Sequence, residues 1–300
     1  MRILLIGQNG QVAHELARTL ACVGEVLTRS RNSEPELDLL DPGSIHTAIG
    51  DVAPDLIINA AAYTQVDRAE TEPDAAFTVN AESVGLIAET ARKHRVPLIH
   101  YSTDYVFSGS ASRPYQEDDP IGPVGVYARS KCQGEALIRD AGIPHWILRT
   151  SWVYGLHGQN FLGTMLRLMA ERETLGIVDD QIGSPTWSRM IAEATALMIS
   201  RSMQDGRLHL EPSSGTYHLT AAGQTSWFGF AETIRALGIQ EGYLTETAAT
   251  LSPISTAEYP TPAKRPAYSV LDNQRLKQAF DIQIPDWKKG LSLCLQKSAA

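Results

Sequence analysis

Through the first half of the chain, short apolar runs alternate with stretches of helical length, and this alternation restricts the fold more than any other feature. The runs occupy residues 2–6, 25–28, 56–59, 98–101 and 146–149, each bordered by Gly, Pro, Asp or Asn. Most are continuously apolar rather than alternating, as strands covered on both faces should be. Between them, residues 12–22, 73–94 and 126–141 have the length and apolar spacing of helices. Repeated strand–helix–strand units require a parallel sheet with right-handed crossovers. The chain is therefore expected to be α/β, with a doubly wound parallel sheet.

The second half has a different texture. Residues 160–172 carry Phe161, Met165, Leu168 and Met169 at helical spacing and precede a short apolar run at 176–178. Residues 188–201 read as helix, 216–219 as a strand, and Ser226 as the cap of a helix running to Gly238. Pro253, Pro260, Pro262 and Pro266 predict an extended loop over 252–266, because proline lacks the amide that regular structure uses. These segments predict a smaller, interleaved C-terminal α/β domain. The expected boundary divides 1–153 from 154–300, with later segments returning to the first sheet.

Composition narrows the partners. Twenty-six Lys plus Arg against 34 Asp plus Glu leave a formal charge of −8 over 300 residues. Nucleic acid is not an expected partner, since neutralising duplex phosphates needs a basic surface. A local anion pocket remains compatible with that charge. The N-terminal apolar run ends at Gly7, short of the roughly 7–15 residues of a signal-peptide core, and no apolar stretch is long enough to span a membrane. Cys22, Cys132 and Cys294 are too few and scattered for a disulfide framework or a zinc site. A cytoplasmic setting is expected. Nothing in the sequence sets the oligomeric state; a homodimer is allowed.

The turn after the first run is Gly7-Gln8-Asn9-Gly10-Gln11-Val12-Ala13. Gly7 permits a tight turn, Gly10 a close approach of backbone to pyrophosphate, and the small Ala13 close helix–strand packing. The helix beginning near Gln11 and Val12 would offer its free amides and dipole to the phosphates. An ordinary glycine-rich turn is the plain alternative. Its position at the head of a β/α alternation favours a dinucleotide and a Rossmann-type sheet, making 1–153 the dinucleotide-binding domain and 154–300 the substrate-binding domain. The second run leads into Arg29-Ser30-Arg31, where a ribose 2′-OH would call for an acid. Two arginines and a serine suit a 2′-phosphate, so NADPH is expected, with NADH as the alternative. Asp38 and Leu39 would border the adenine.

Tyr127-Ala128-Arg129-Ser130-Lys131 places a phenol and an ammonium four residues apart on one helix face. A neighbouring cation lowers a phenol pKa, which would give a tuned acid. Taken alone the spacing is common and fits a surface pair. The fourth run adds Ser102-Thr103-Asp104 at a strand's carboxyl end, where ligands of parallel sheets bind. A hydroxyl there can donate to the same carbonyl as the tyrosine, although Ser and Thr also cap turns.

Together these motifs resemble the extended short-chain dehydrogenase/reductase superfamily, which the small-residue run Asn59-Ala60-Ala61-Ala62 also fits. Further segments are similar to the dTDP-4-dehydrorhamnose reductase family. They are residues 60–70, 101–107 and 149–154, then Asp179-Asp180-Gln181-Ile182-Gly183-Ser184-Pro185-Thr186 and Tyr259-Pro260-Thr261-Pro262-Ala263-Lys264-Arg265-Pro266. The resemblance implies NADPH-dependent reduction of dTDP-4-dehydro-L-rhamnose (dTDP-6-deoxy-L-lyxo-4-hexulose) to dTDP-L-rhamnose, the last step of dTDP-rhamnose biosynthesis. By position, Tyr127 would be the proton donor, Lys131 its partner and a holder of the nicotinamide ribose, and Thr103 the catalytic hydroxyl. Gly10, Gln11, Val12, Asp38, Leu39, Ala62, Tyr63, Thr64 and Tyr101 would line the cofactor. Thr103, Asp104 and Trp152 would face the dTDP-sugar.

Ala13 stands where many members have Gly, and Ser30 where an acid would favour NADH. Some members are described as Mg²⁺-dependent, but no compact carboxylate cluster marks a metal site in this sequence. The alternatives are a nucleotide-sugar epimerase or dehydratase of the same superfamily and a non-catalytic regulatory subunit of methionine adenosyltransferase. Intact Tyr127, Lys131 and Thr103 count against the last.

Overall fold

The structure, a computed structural model, describes residues 1–297. Its centre is a six-stranded parallel sheet. Five strands come from the first half: β1 (Arg2–Ile6), β2 (Glu25–Arg29), β3 (Leu56–Asn59), β4 (Leu98–Thr103) and β5 (His145–Thr150). The sixth, Gly215–His218, arrives from the second half, and the order across the sheet is Gly215–His218, β5, β4, β3, β1, β2.

Side chains alternate across the sheet, so a run buried on both faces must be apolar at every position. Ile3 and Leu5 enter one core with Leu16, Leu56, Ile58, Ile99 and Leu148. Leu4 and Ile6 enter the other with Ile45, Ile49, Ile57, Ile87, Leu98 and Ile147. The first core is completed from the second half: Ile191, Met198 and Ile199 of the helix Ser188–Arg201 pack onto it, as do Tyr217 and Leu276. A separate apolar cluster joins the helices Phe161–Glu171, Trp227–Gln240 and Trp287–Leu295. Ser226 caps the second of these by accepting from the Gly229 amide at 3.0 Å.

Five segments differ from expectation. A helix at Pro42–Val52 fills the second crossover; Asp41 caps it by accepting from the Gly43 amide, and Ile45, Ala48, Ile49 and Val52 form its buried face. Its opening Asp-Pro-Gly reads as a turn, yet proline suits the first helical turn, where its missing amide costs nothing. Residues 73–94 are not one continuous helix. Pro73–Phe77 and Ser83–His94 flank a π-helical turn at Thr78–Glu82. Asn80 in that turn holds the Tyr63 backbone through both its N–H and its carbonyl and donates to Ser130 at 3.0 Å. Gly134 packs so closely beneath it that a Cβ would lie 2.2 Å from the Asn80 carbonyl oxygen. The proline-rich segment begins as a strand, Thr250–Ile254, paired in parallel with Thr174–Val178. Pro253 is accommodated because this two-stranded sheet has only edges. Finally, the helices Gln274–Phe280 and Trp287–Leu295 lie where no helix is expected from the sequence.

A buried ion pair ties the helix Val126–Asp140 to β5. Arg149 donates through Nε and Nη2 to the two oxygens of Glu135, at 2.9 and 2.7 Å. Arg139 adds a contact at 3.2 Å. Burial would raise the Glu135 pKa, but the Arg149 hydrogen bonds and charge bring it below the ordinary carboxylate value. The pair's contribution is therefore complete above the ordinary pKa and lost as pH falls through the depressed folded one. Glu135→Gln keeps the shape but leaves Arg149 without its carboxylate at 4% side-chain exposure. Urea unfolding should show a loss of about 3–5 kcal/mol. A loss of about 0–1 kcal/mol, typical of an exposed pair, would contradict this.

Candidate active site

The carboxyl ends of β1 to β5 open into two adjoining cavities of about 570 and 660 Å³ that share Gly7, Arg31, Ala61, Ala62 and Thr64. Gly7 has φ +111°, and a Cβ there would sit 2.8 Å from the Ala61 nitrogen, so turn and close packing both demand glycine. Gly10 differs. Its φ is −79°, and a Cβ would meet nothing of the chain closer than 3.5 Å. The chain itself does not require glycine at this position, and the space it leaves borders the larger cavity. No side chain caps the helix Gln11–Thr19, so its first amides are free to meet an anion. That cradle fits a pyrophosphate.

The smaller cavity is lined by Ser30, Arg31, Asp38, Leu39, Ala62, Tyr63 and Thr64, all expected for the cofactor. Arg29, also expected there, stands apart. It lines neither cavity, and its guanidinium turns back to donate to the Thr28 carbonyl at 2.9 Å. Alternation along a strand would put residues two apart on one face, but β2 ends at Arg29, so Arg31 lies beyond the strand and is free of that register. Only Arg31 of the two borders the crevice.

The larger cavity brings Gly10, Gln11 and Val12 together with Tyr101, Tyr127 and Lys131. Residues not anticipated from the sequence join them: Thr150, Val153, Gly158 and Gln159. Asn160 also takes part, donating to Gln11 Oε1 at 2.9 Å across a separation of 149 residues. No local signal in either segment predicts that contact.

Tyr127 and Lys131 share the cavity wall, but the expectation that Lys131 lowers the phenol pKa is not met. Burial pushes the Tyr127 phenol above its ordinary value, and the Thr103 hydroxyl is the group that draws it back. The Lys131 amine runs beneath β4 and donates to the Tyr101 carbonyl at 2.7 Å. Spacing by four puts both residues on one helix face, yet the long lysine chain reaches a different acceptor. Tyr127 therefore holds its proton at neutral pH. The Tyr101 phenol is bonded to Thr195 at 2.7 Å and is also raised by burial.

Thr103 and Asp104 are buried at the end of β4, where Thr103 donates to Asp104 at 3.1 Å and accepts from the Tyr105 amide. Neither lines the two cavities. Burial pushes the Asp104 carboxyl up to about 6, against the hydroxyls of Ser269 and Thr103. Trp152 is likewise absent from both linings. It has φ +45°, stacks on Trp227 with centroids 3.5 Å apart, and lies against Gly183, where a Cβ would fall 2.4 Å from its ring. Trp227 is a partner that sequence reading did not find; it donates to Gln181 at 3.2 Å. Among the described residues no group of three or more His, Cys, Asp or Glu could hold a metal ion. No helix among them is long and apolar enough to cross a membrane.

Comparison with known proteins identifies similar chains and folds. The family described as RmlD substrate binding domain matches residues 1–300. A dTDP-4-dehydrorhamnose reductase of Burkholderia thailandensis is 46% identical, covering 99% of this chain and 98% of its own. A crystal structure of a dTDP-4-dehydrorhamnose reductase from Clostridium acetobutylicum superposes with a TM-score of 0.87 at 33% identity, over 98% of each chain. The Bacillus anthracis dTDP-4-dehydrorhamnose reductase, solved in complex with NADP, gives 0.85 at 32% identity, again over 98% of each.

The Asp104 carboxyl should titrate near pH 6 when followed by carbonyl-carbon NMR on aspartate-labelled protein, and higher still in Thr103→Val, which removes one stabilising hydroxyl. Titration near the ordinary aspartate value would show that Asp104 is not buried as described.

Proposed function

The chain belongs to the RmlD substrate binding domain family, and on that premise we propose that it reduces the 4-keto group of dTDP-4-dehydro-L-rhamnose with NADPH, yielding dTDP-L-rhamnose. One observation carries the reading. Tyr127 and Lys131 line the same cavity as the uncapped helix N-terminus behind Gly10, so a dinucleotide held there ends beside a proton donor.

The bound cofactor would supply the hydride that the chain's own side chains cannot. Gly10, Gln11 and Val12 would receive its pyrophosphate, and Ser30 and Arg31 its 2′-phosphate. Asp38, Leu39, Ala62, Tyr63 and Thr64 would form the adenosine end of the crevice. Tyr127, still protonated because burial raises its pKa, would deliver its proton to the sugar oxygen as charge develops there. Thr103 would act through the same oxygen, and Lys131 would hold the nicotinamide ribose. Asp104 and Trp152 would lie toward the deoxysugar nucleotide, with Trp227 backing the Trp152 ring. A reducing, cytoplasmic setting goes with this reading and suits three free cysteines.

Three measurements test it. Incubation with the dTDP-keto-sugar should oxidise NADPH in step with formation of dTDP-L-rhamnose; a product formed without net oxidation would indicate an epimerase or dehydratase. Tyr127→Phe should lower kcat by about 10²–10⁴-fold while NADPH affinity stays within a few-fold of the parent. Arg31→Ala should cut the preference for NADPH over NADH by about tenfold or more, the loss expected of a charge-assisted hydrogen bond. An unchanged ratio would remove Arg31 from 2′-phosphate recognition.

A further inference from the structure

Beneath the larger cavity, three buried polar side chains from two strands and a helix lie in contact. Asn59 on β3, His100 on β4 and Lys131 on the helix Val126–Asp140 are exposed by only 1%, 0% and 2%. They are joined end to end. Asn59 Oδ1 accepts from the Ala61 amide at 3.1 Å, and Asn59 Nδ2 meets His100 Nδ1 at 3.2 Å. His100 Nε2 meets Lys131 Nζ at 3.1 Å, and Nζ donates to the Tyr101 carbonyl at 2.7 Å.

The first link sets the direction of all the others. A backbone amide only donates, so the Asn59 carbonyl faces Ala61 and its NH₂ faces His100, whose Nδ1 must accept. Burial holds His100 neutral, which puts its single proton on Nε2, aimed at Lys131. A donor there requires a lone pair on Nζ, and only the neutral amine has one. An ammonium would need the His100 proton on Nδ1, against the Asn59 NH₂. Turning the Asn59 amide over would move the same conflict to the Ala61 amide. A donor–donor contact at the buried Asn59–His100 pair is costly, since neither group can turn to water, and one at the part-buried Ala61 amide would cost that amide its acceptor.

We propose that Asn59 and His100 form a one-directional hydrogen-bond relay, anchored on the Ala61 amide, that selects the neutral amine of Lys131 and opposes its charging. His100 is then a positioning residue, acting on the reaction only through Lys131. The groups around Lys131 leave room for this control. On its own helix, Glu135 favours the charged form, but its carboxylate is held by Arg149 and Arg139. Cys132 beside it is an uncharged thiol, pushed up to about 12 by burial. From β4 come His100 and the Tyr101 carbonyl, whose phenol is bonded to Thr195; from β3 comes uncharged Asn59. Burial brings Lys131 down to about 8, so amine and ammonium both lie within working pH. The charge on Lys131, and with it the alkaline limb of turnover, is then set by a residue that touches neither cavity.

The consequence for turnover rests on the reductase reading, but the relay itself can be tested without it. In the full-length protein with no ligand, nitrogen NMR of labelled histidine should find His100 protonated on Nε2 and bare on Nδ1. The opposite tautomer, or an imidazolium, would overturn the relay. Asn59→Asp lets a carboxylate accept from both the Ala61 amide and His100 Nδ1, so the His100 tautomer should reverse in that variant. His100→Phe removes the donor without adding charge. In both variants the Lys131 pKa, read from its Cε carbon shift, should rise by about one unit, a tenfold change in proton affinity. If the chain turns over the keto-sugar, the alkaline limb should rise by the same amount. A Lys131 pKa unchanged or lowered in His100→Phe would mean that His100 only fills space, or accepts from an ammonium, and either result refutes the proposal.

Discussion

Parallel strands cannot be joined by tight turns, and the rest of this molecule follows from that constraint. Each strand must be followed by a crossover, so all carboxyl ends face one edge and all connecting loops leave from it. The turn after β1, the loop after β2, the Ala60–Ala62 segment after β3 and the hydroxyls after β4 are thus gathered although 96 residues of chain separate Gly7 from Thr103. The crevice is a product of topology before any side chain is chosen. The crossovers also bury both sheet faces, and that burial makes the strands readable as continuous apolar runs.

Against this apolar background three sets of buried polar groups are mutually dependent. Asn80 secures the Tyr63 backbone and Ser130. Glu135 answers Arg149. Asn59, His100 and Lys131 complete one another. Each set joins a strand or loop to the helix Val126–Asp140 or to the sheet beneath it, so the element carrying Tyr127 is located by directional bonds as well as by packing. A group left unpaired at such depth costs more than its bond contributes, and this ties the elements' relative positions together.

The differences between expectation and structure have physical causes. The π-helical turn at Thr78–Glu82 is decided by Asn80 and by the approach of Gly134, which lies 54 residues later; no window of local sequence contains both. The strand at Thr250–Ile254 carries proline because its sheet is only two strands wide. Arg29 and Arg31 look equivalent as text, and only the end of β2 separates them. Spacing by four pairs the Lys131 amine with Tyr127, whereas in the fold it donates to the Tyr101 carbonyl.

What this sequence determined alone was the β/α alternation, the glycine turn, and the placing of Tyr127 and Lys131 on one helix face, because periodicity and backbone permissiveness act over a few neighbouring residues. The buried Asn59 and His100 were visible as polar letters inside apolar runs, but their partnership was not. Tertiary structure alone decided which arginine borders the crevice, which residue stacks on Trp152, where the Lys131 amine points, and how the second half closes the first core. Those outcomes depend on distances between segments far apart in the chain, and such distances exist only once the sheet has formed.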